Sequence, residues 1–253
     1  MGFSETRKRK FVLSFFLCFC LCGNFIWGNS ETLISNEKDD YVIKSSSQNL
    51  EFFLTKQNEL GAKLKVKQTV ISKTALPVKF SRAVFFDENS AVGNILIKAN
   101  RRTLRVDPVI SDYESGGIFH SDIKVCFFEH ETEKGDQIFE VVYEKVFLDY
   151  KFLDPLYFND LFPVEKSEIS VLIPDWLDLD IREFNFDLET PEKTGAVEKE
   201  GKRITWSMSD LPAVTRPNGA PRRSKINAHL IFLPRETEVK GQTKRLIKDV
   251  GDL

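Results

Sequence analysis

The chain has 253 residues, of which 42% are hydrophobic and 29% are charged, and its formal net charge is −2. Phenylalanine is unusually abundant, with 22 residues against 3 tryptophans and 5 tyrosines. This length and apolar content suffice for one large domain or two small ones with a sizeable core. The balanced charge argues against a nucleic-acid partner, and the composition excludes a mainly disordered chain.

The first thirty residues differ from the rest of the chain. A basic cluster at residues 7–10 precedes an uncharged apolar run at residues 11–27, and residues 28–30 are small or polar. This order is typical of a secretory signal peptide, which we predict for residues 1–30. An uncleaved membrane anchor is the alternative, because the apolar run is at the lower limit of length for a spanning helix. We expect an exported protein of the periplasm or cell envelope, with membrane contact only through this segment if it is uncleaved.

Removing residues 1–30 changes the charge and the cysteine content. The remainder carries 32 basic and 37 acidic residues, a net charge of −5, and only Cys126 of the four cysteines remains. A domain with a single thiol forms no intramolecular disulfide. The exported domain is therefore expected to be held together by its hydrophobic core.

Alternating apolar and polar residues recur from about residue 50 to residue 233. In residues 62–71 (AKLKVKQTVI) the apolar side chains face one way and the lysines the other, which indicates a half-buried antiparallel strand. Residues 138–148 form the longest such run, and we predict that Phe139, Val141, Tyr143 and Phe147 point inward. Further strands are predicted at residues 78–86, 95–97, 104–106, 123–127, 168–173, 179–188, 203–208 and 228–233.

Glycine-containing turns separate these strands. They are predicted at residues 115–117, 134–136, 200–202 and 218–219. No segment of ten or more residues shows a clean helical period, so the pattern predicts an all-β protein, an antiparallel sandwich or barrel. Residues 31–49 are predicted to be a polar lead-in with one edge strand at residues 41–44. Residues 215–225 (TRPNGAPRRSK) are interpreted as a solvated basic loop, with a polyanion-binding patch as the alternative.

No catalytic or metal-binding constellation is predicted. Cys126 is the sole thiol after residue 30, and its strand-like surroundings favour a structural role over that of a nucleophile. His120 and His130 are ten residues apart, so a zinc site is conceivable, yet no metal-binding motif occurs and His229 is isolated. Surface histidines are the preferred interpretation. We predict no catalytic residue, no metal site and no cofactor.

Three segments carry a more specific signal than any of these motifs. They are KGDQIFEVVYEKV (134–146), DPLYFNDLFPVEKSEISVLIPDWL (154–177) and GKRITWSMSDLPAV (201–214). Their order and spacing resemble domain-of-unknown-function family 3857, the β-sandwich that precedes a transglutaminase-like core in exported bacterial proteins. The resemblance implies an antiparallel immunoglobulin-like β-sandwich, here at residues 50–235 and preceded by the signal peptide.

The resemblance does not carry over any catalytic residue. In longer relatives the sandwich is followed by a core with cysteine, histidine and aspartate, and no positions here match them. Residues 236–253 are predicted to be a tail, the possible start of a linker helix to a missing domain. Two hypotheses follow: an exported, non-catalytic accessory or interaction module with an unknown protein or cell-envelope partner, or the truncated front end of a transglutaminase-like peptidase or cross-linking enzyme.

Four aromatic residues are the candidates for a binding surface. Tyr157, Phe158, Phe162 and Trp176 lie in or beside a proline-containing crossing between predicted strands. Partly exposed rings at such a place suit partner recognition. The alternative is that they seal one end of the core, because exposed aromatic patches are uncommon.

Overall fold

The structure is a computed structural model that describes residues 40–74, 77–113, 122–132, 137–186, 190–214 and 221–246. The predicted signal peptide and the turns predicted at residues 115–117, 134–136 and 218–219 lie outside the described residues. Among the described residues, no helix has the length and apolar character needed to cross a membrane.

Strands account for most of the described residues. Two single-turn 3-10 helices, Tyr150–Phe152 and Arg223–Lys225, accompany them. The strands are β1 (Tyr41–Leu54), β2 (Leu60–Ser72), β3 (Lys79–Phe86), β4 (Ser90–Ala99), β5 (Arg102–Arg105), β6 (Val109–Asp112), β7 (Lys124–Glu131), β8 (Ile138–Phe147), β9 (Leu156–Tyr157), β10 (Val164–Ile173), β11 (Leu177–Phe184), β12 (Glu192–Glu198), β13 (Gly201–Leu211), β14 (His229–Val239) and β15 (Gln242–Arg245).

The strands form three sheets. The large sheet has eight strands in the order β12-β13-β10-β1-β2-β8-β4-β5. A four-stranded sheet has the order β11-β14-β15, with β9 paired to β14, and a three-stranded sheet has the order β3-β7-β6. The prediction of an all-β protein is confirmed. One feature was not predicted: β1 and β10 pair in parallel, so the large sheet is mixed rather than antiparallel.

The predicted lead-in is wrong from residue 41 onward. Instead of an edge strand at residues 41–44, the fourteen-residue strand β1 lies between β10 and β2 in the middle of the large sheet. Tyr41 and Ile43 are fully buried, and burial of their side chains stabilises this central position. The sheet-forming domain therefore begins before residue 50.

The predicted C-terminal tail is also different. Residues 236–245 belong to a β-hairpin in which β14 continues to Val239 and β15 returns alongside it. Gly241, with φ +74°, occupies the turn, where a residue without a Cβ adopts this conformation at little cost. The structure thus contains a hairpin where the linker helix was expected to start, and residues 247–253 lie outside the described part.

One hydrophobic core joins the three sheets. Its aromatic centre packs Tyr41 of β1 against Phe80 of β3 and against Phe162, with ring centroids 5.4 and 5.6 Å apart. Phe139 of β8 contacts Phe80 at 5.3 Å. The inward face predicted for β8 is confirmed, since Phe139, Val141 and Phe147 are buried. Residues 156–163, which we call the crossing segment, run from the four-stranded sheet to the large sheet and contribute Phe162 to this centre.

Candidate functional site

The four predicted aromatic residues do not form one exposed surface. Phe158 and Phe162 are 1% and 3% exposed, so they belong to the core, as the alternative interpretation expected. Tyr157 and Trp176 are half-buried. Only these two offer part of their surface to a partner, and Tyr157 belongs to a larger arrangement of rings.

Three aromatic rings form a row across the four-stranded sheet. Tyr157 of β9 is in register with His229 of β14, and His229 is in register with Phe184 of β11. The ring centroids of Tyr157 and His229 are 4.9 Å apart with planes at 28°, and those of His229 and Phe184 are 5.0 Å apart with planes at 10°. Adjacent strands are about 4.8 Å apart, so residues in register stack their rings at this spacing. We call these three residues the aromatic row.

An arginine closes one end of the aromatic row. The Arg223 guanidinium carbon lies 4.1 Å from the Tyr157 ring centroid, a cation–π contact. The same guanidinium donates a hydrogen bond to the backbone carbonyl of Asn159. Arg223 therefore fixes both the ring and the backbone of the crossing segment.

Asn185 holds the other end of the row. Its backbone is left-handed, with φ +58°, a conformation that asparagine tolerates better than most residues. Its side-chain amide donates to the backbone carbonyls of Ser224 and Asn227 at 3.0 and 2.9 Å. Nδ1 of His229 lies 2.9 Å from the same Asn227 carbonyl. These hydrogen bonds hold residues 222–225, which we call the basic turn, beside the end of β11.

The row ends at the protein surface. His229 is 2% exposed, whereas Phe184 is 41% exposed, with one face of its ring covered by His229. Arg222 and Lys225 of the basic turn are exposed. Neither forms an ion pair within the part of the chain that the structure describes. An exposed ring and two unpaired cations therefore lie at one corner of the four-stranded sheet.

Sequence reasoning missed most of this site. His229 was interpreted as a surface residue, but it is buried between two rings. Phe184 lies in the predicted strand 179–188 and His229 in the predicted strand 228–233. The only available signal was their position in these strands, and strand position does not reveal which strands pair.

A second polar cluster lies inside the core. Arg82 of β3, which is 9% exposed, donates to both carboxylate oxygens of Asp160 at 2.8 and 3.1 Å. Gln68 of β2 accepts from Arg82 and donates to Asp160 at 3.1 Å. The guanidinium also lies 5.5 and 5.8 Å from the ring centroids of Phe80 and Phe162. We call Arg82, Asp160 and Gln68 the buried ion cluster.

The electrostatics of this cluster favour the ionised pair. Burial alone would raise the pKa of Asp160, but the Arg82 charge and the hydrogen bonds from Arg82 and Gln68 outweigh it and hold the pKa below its usual value. Burial raises the pKa of nearby Tyr143 to about 12, with Arg82 opposing the shift and Asp160 supporting it. The cluster ties the crossing segment to two sheets and lies too deep to bind a solute.

Another buried cation lies on the inward face of β8. Lys145 is 6% exposed, and its ammonium group donates to the Phe85 carbonyl at 2.8 Å and to Asp154 at 2.6 Å. It also lies 4.9 Å from the Phe147 ring centroid. Lys145 fixes Asp154, two residues before the crossing segment, and its ammonium group is already paired with that carboxylate, so it is not a candidate for a reactive amine.

Cys126 and the histidines offer no reactive site among the described residues. Cys126 is fully buried on the inner side of β7, and burial raises the pKa of its thiol. His130 packs its ring 4.7 Å from Phe139, and His120 lies outside the described residues. No group of three or more histidine, cysteine, aspartate or glutamate residues suitable for a metal occurs in the described part of the chain.

The outer face of the large sheet carries a shallow polar groove of about 430 Å³. Its polar side chains bond to one another across three strands: Arg203 donates to Ser170 at 3.4 Å, Ser170 to Asn49 at 2.5 Å, and Asn49 to Ser47 at 3.0 Å. Arg203 is also paired with Glu198. These side chains already form hydrogen bonds and an ion pair with one another. The groove is therefore a weaker candidate for a binding site than the exposed end of the aromatic row.

Comparison with known proteins adds evidence on the fold alone. No protein-family model matches the chain, and no curated protein matches it. Among solved structures, a protein from Parabacteroides distasonis proposed to be a protease matches 77% of the chain with a TM-score of 0.56 and 11% identity. The match covers 40% of that protein's length. At this identity the similarity shows a shared fold and carries no information about activity.

Two further solved structures resemble the chain less closely, with TM-scores below 0.5. A protein from Legionella pneumophila proposed to bind nutrients matches 76% of the chain and 67% of its own length, with a TM-score of 0.42 and 9% identity. An M1 zinc metallopeptidase from Deinococcus radiodurans matches 81% of the chain and 46% of its own length, with a TM-score of 0.40 and 10% identity. Similarities this loose do not show a shared fold.

Proposed function

We propose that the chain is an exported, non-catalytic β-sandwich that acts as an interaction module in the bacterial envelope. The resemblance of residues 134–214 to family 3857 supports an immunoglobulin-like sandwich of this kind, and the all-β architecture agrees with it. The composition of residues 1–30 supports export to the periplasm or cell envelope.

One observation carries the proposal of an interaction role. Phe184 exposes its ring at an edge of the four-stranded sheet, beside Arg222 and Lys225, which form no ion pair with any described residue. Its position is rigid because the ring is stacked on His229 and the adjacent Asn185 is hydrogen-bonded to the basic turn. Aromatic residues and arginine are enriched at protein interfaces relative to the rest of the surface.

Site-specific photo-cross-linking in the producing bacterium tests this role. A benzophenone amino acid replaces Phe184 in one strain and Phe152 in the other. Phe152 is 47% exposed and does not belong to the aromatic row, so it is the matched control. We expect a discrete adduct at position 184 that is absent at position 152. The absence of any adduct specific to position 184 would contradict the interaction role.

An activity assay tests the non-catalytic part of the proposal. The protein purified after export is incubated with labelled casein and, separately, with an amine donor and a glutamine-containing acceptor. We expect neither hydrolysis nor amide cross-linking above the buffer control. Activity above the buffer control would overturn the proposal, and its loss in a C126A variant that circular dichroism shows to be folded would assign Cys126 as the nucleophile.

The second candidate function is the N-terminal region of a transglutaminase-like peptidase or cross-linking enzyme. It rests on the same resemblance, because family 3857 precedes such cores. Sequencing the gene beyond the codon for Leu253 tests it directly. An in-frame continuation with cysteine, histidine and aspartate in a core of that type supports the enzyme, and a stop codon contradicts it.

A further inference from the structure

The basic turn beside Phe184 has the opposite charge to the chain as a whole. Without residues 1–30 the chain carries a net charge of −5, yet the basic turn places Arg222, Arg223 and Lys225 within four consecutive residues. Arg223 is committed to the Tyr157 ring and to the Asn159 carbonyl. Arg222 and Lys225 have no ion-pair partner among the residues that the structure describes, and exposed cations of this kind attract anionic groups over about a Debye length.

The exposed ring lies next to these cations because of Asn185. This residue follows Phe184 directly, and its amide donates to the carbonyl of Ser224, which lies between Arg223 and Lys225 in the chain. The Phe184 ring and the backbone of the basic turn are therefore fixed relative to each other by a hydrogen bond of 3.0 Å and by the stacking on His229. A ligand that contacts both does not have to order a mobile loop first.

The spacing of the aromatic row indicates which chemical group of a ligand would pack against the Phe184 ring. Its rings repeat at 4.9 and 5.0 Å, and His229 covers only one face of the Phe184 ring. A further aromatic ring on the open side would continue the row at the same spacing, which lies within the range of favourable offset stacking. The carboxylates of a ligand would complement Arg222 and Lys225, and arginine can bind a carboxylate through two parallel hydrogen bonds.

We propose that this corner binds an acidic peptide segment of a partner protein that carries an aromatic side chain. The aromatic ring stacks on Phe184, and carboxylates on either side of it pair with Arg222 and Lys225. This inference rests on the proposed interaction role and adds the chemistry of the partner. Charge complementarity selects an acidic segment, and the exposed ring selects an aromatic residue within it.

Calorimetric titration with three peptides tests the chemistry. The probe is acetyl-Glu-Asp-Phe-Asp-Glu-amide; acetyl-Glu-Asp-Ala-Asp-Glu-amide removes the ring, and acetyl-Lys-Arg-Phe-Arg-Lys-amide reverses the charge. With the full exported protein at low salt, we expect the probe to bind on the order of tenfold more tightly than either control peptide. Its affinity should fall as salt is raised, because the charged groups are exposed.

Paired variants locate the binding site. F184A and the double variant R222E/K225E should each weaken binding of the probe on the order of tenfold. F152A and K56E/K199E change an exposed ring and two exposed lysines elsewhere, so they control for non-specific loss of aromatic surface and of positive charge. All four variants alter exposed side chains, and circular dichroism checks that each is folded.

The outcomes separate this inference from the proposed function. Equal binding of the acidic and basic aromatic peptides, with loss in F184A, would overturn the acidic chemistry and leave an aromatic interaction site. Binding of the probe that is unchanged in F184A and in R222E/K225E, or no binding at all, would overturn the inference. The proposed function itself fails by the cross-linking and activity assays, which do not depend on any peptide.

Discussion

Two arginines hold the crossing segment, and they do so in opposite environments. Arg82 reaches Asp160 inside the core, where two rings and Gln68 surround its guanidinium. Arg223 reaches Tyr157 and the Asn159 carbonyl at the corner of the four-stranded sheet. Residues 157–160 are thus fixed from both sides. The first arginine is enclosed and paired, whereas the second belongs to an arrangement that continues to the surface.

This difference separates a structural polar cluster from a candidate recognition site. In the buried ion cluster the charged groups have partners and little access to solvent, so a ligand gains nothing there. In the aromatic row one end is closed by Arg223, and the other end exposes Phe184 beside two cations that have no ion-pair partner in the described part of the chain. We therefore expect substitutions in the cluster to change stability, and substitutions at the end of the row to change binding.

The largest expected effect is on the buried ion cluster. D160A leaves the Arg82 guanidinium buried without its counter-charge, which should lower the free energy of unfolding by about 3–5 kcal/mol. Urea denaturation followed by circular dichroism measures it. The matched control is E198A, which breaks the exposed pair with Arg203 and should leave stability close to wild type. A D160A variant as stable as E198A would show that the cluster does not hold the crossing segment.

The dependence of the free energy of unfolding on pH, in the acid range, tests the Arg82–Asp160 ion pair independently. The pKa of Asp160 is lowered in the folded protein, so its contribution is present above the unfolded value of about 4 and is lost as the pH falls through the folded pKa. The stability difference between wild type and D160N should therefore shrink below about pH 4. A difference that stays constant down to pH 2 would contradict an ionised buried pair.

The fold was more predictable from the sequence than the two polar arrangements. Alternation correctly gave the inward face of β8, because burial of Phe139, Val141 and Phe147 follows from a period of two. It did not reveal Lys145 on that same face, since the groups that satisfy its charge, Asp154 and the Phe85 carbonyl, come from other elements. Local patterns report which face of a strand is buried and not which partners stabilise a buried charge.

The other features that the sequence did not predict depend on contacts between residues far apart in the chain. Arg82 and Asp160 are 78 residues apart in sequence, and neither lies in a motif that predicts an ion pair. Tyr157 was singled out as a candidate, but its stacking on His229 depends on the register between β9 and β14.

The turn predicted at residues 200–202 depends only on local sequence, and it is confirmed. Gly201 has φ +140°, and a Cβ there would collide with the Ile173 carbonyl.

An intermediate effect is expected at alkaline pH beside the cluster. Burial raises the pKa of Tyr143 to about 12, above the unfolded value of about 10. A raised pKa means that the phenol's contribution is complete below about pH 10 and is lost as the pH rises toward 12. Wild type should lose up to about 2 kcal/mol relative to Y143F over that range. If the free energy of unfolding fell equally with rising pH in wild type and in Y143F, burial would not be hindering the ionisation of Tyr143.

A smaller loss of stability is expected where Arg223 closes the aromatic row. R223A removes one cation–π contact and one hydrogen bond at the edge of the sheet, which should cost about 1–2 kcal/mol. R223K keeps a cation over the Tyr157 ring and should recover part of the loss. Thermal unfolding of the two variants measures the effect. Equal melting temperatures for wild type and R223A would show that Arg223 does not help to hold the crossing segment.

The smallest effect on stability is expected at the exposed end of the row, and it discriminates best between the two regions. Phe184 is 41% exposed, so F184A should change the free energy of unfolding by less than about 1 kcal/mol. F158A is the matched control, because it removes the same ring from a core position that is 1% exposed and should cost about 3–5 kcal/mol. If F184A were as destabilising as F158A, the ring would be part of the core and its role in recognition would be wrong. A stable F184A protein that no longer yields a partner adduct or binds the acidic aromatic peptide is the result that a recognition surface requires.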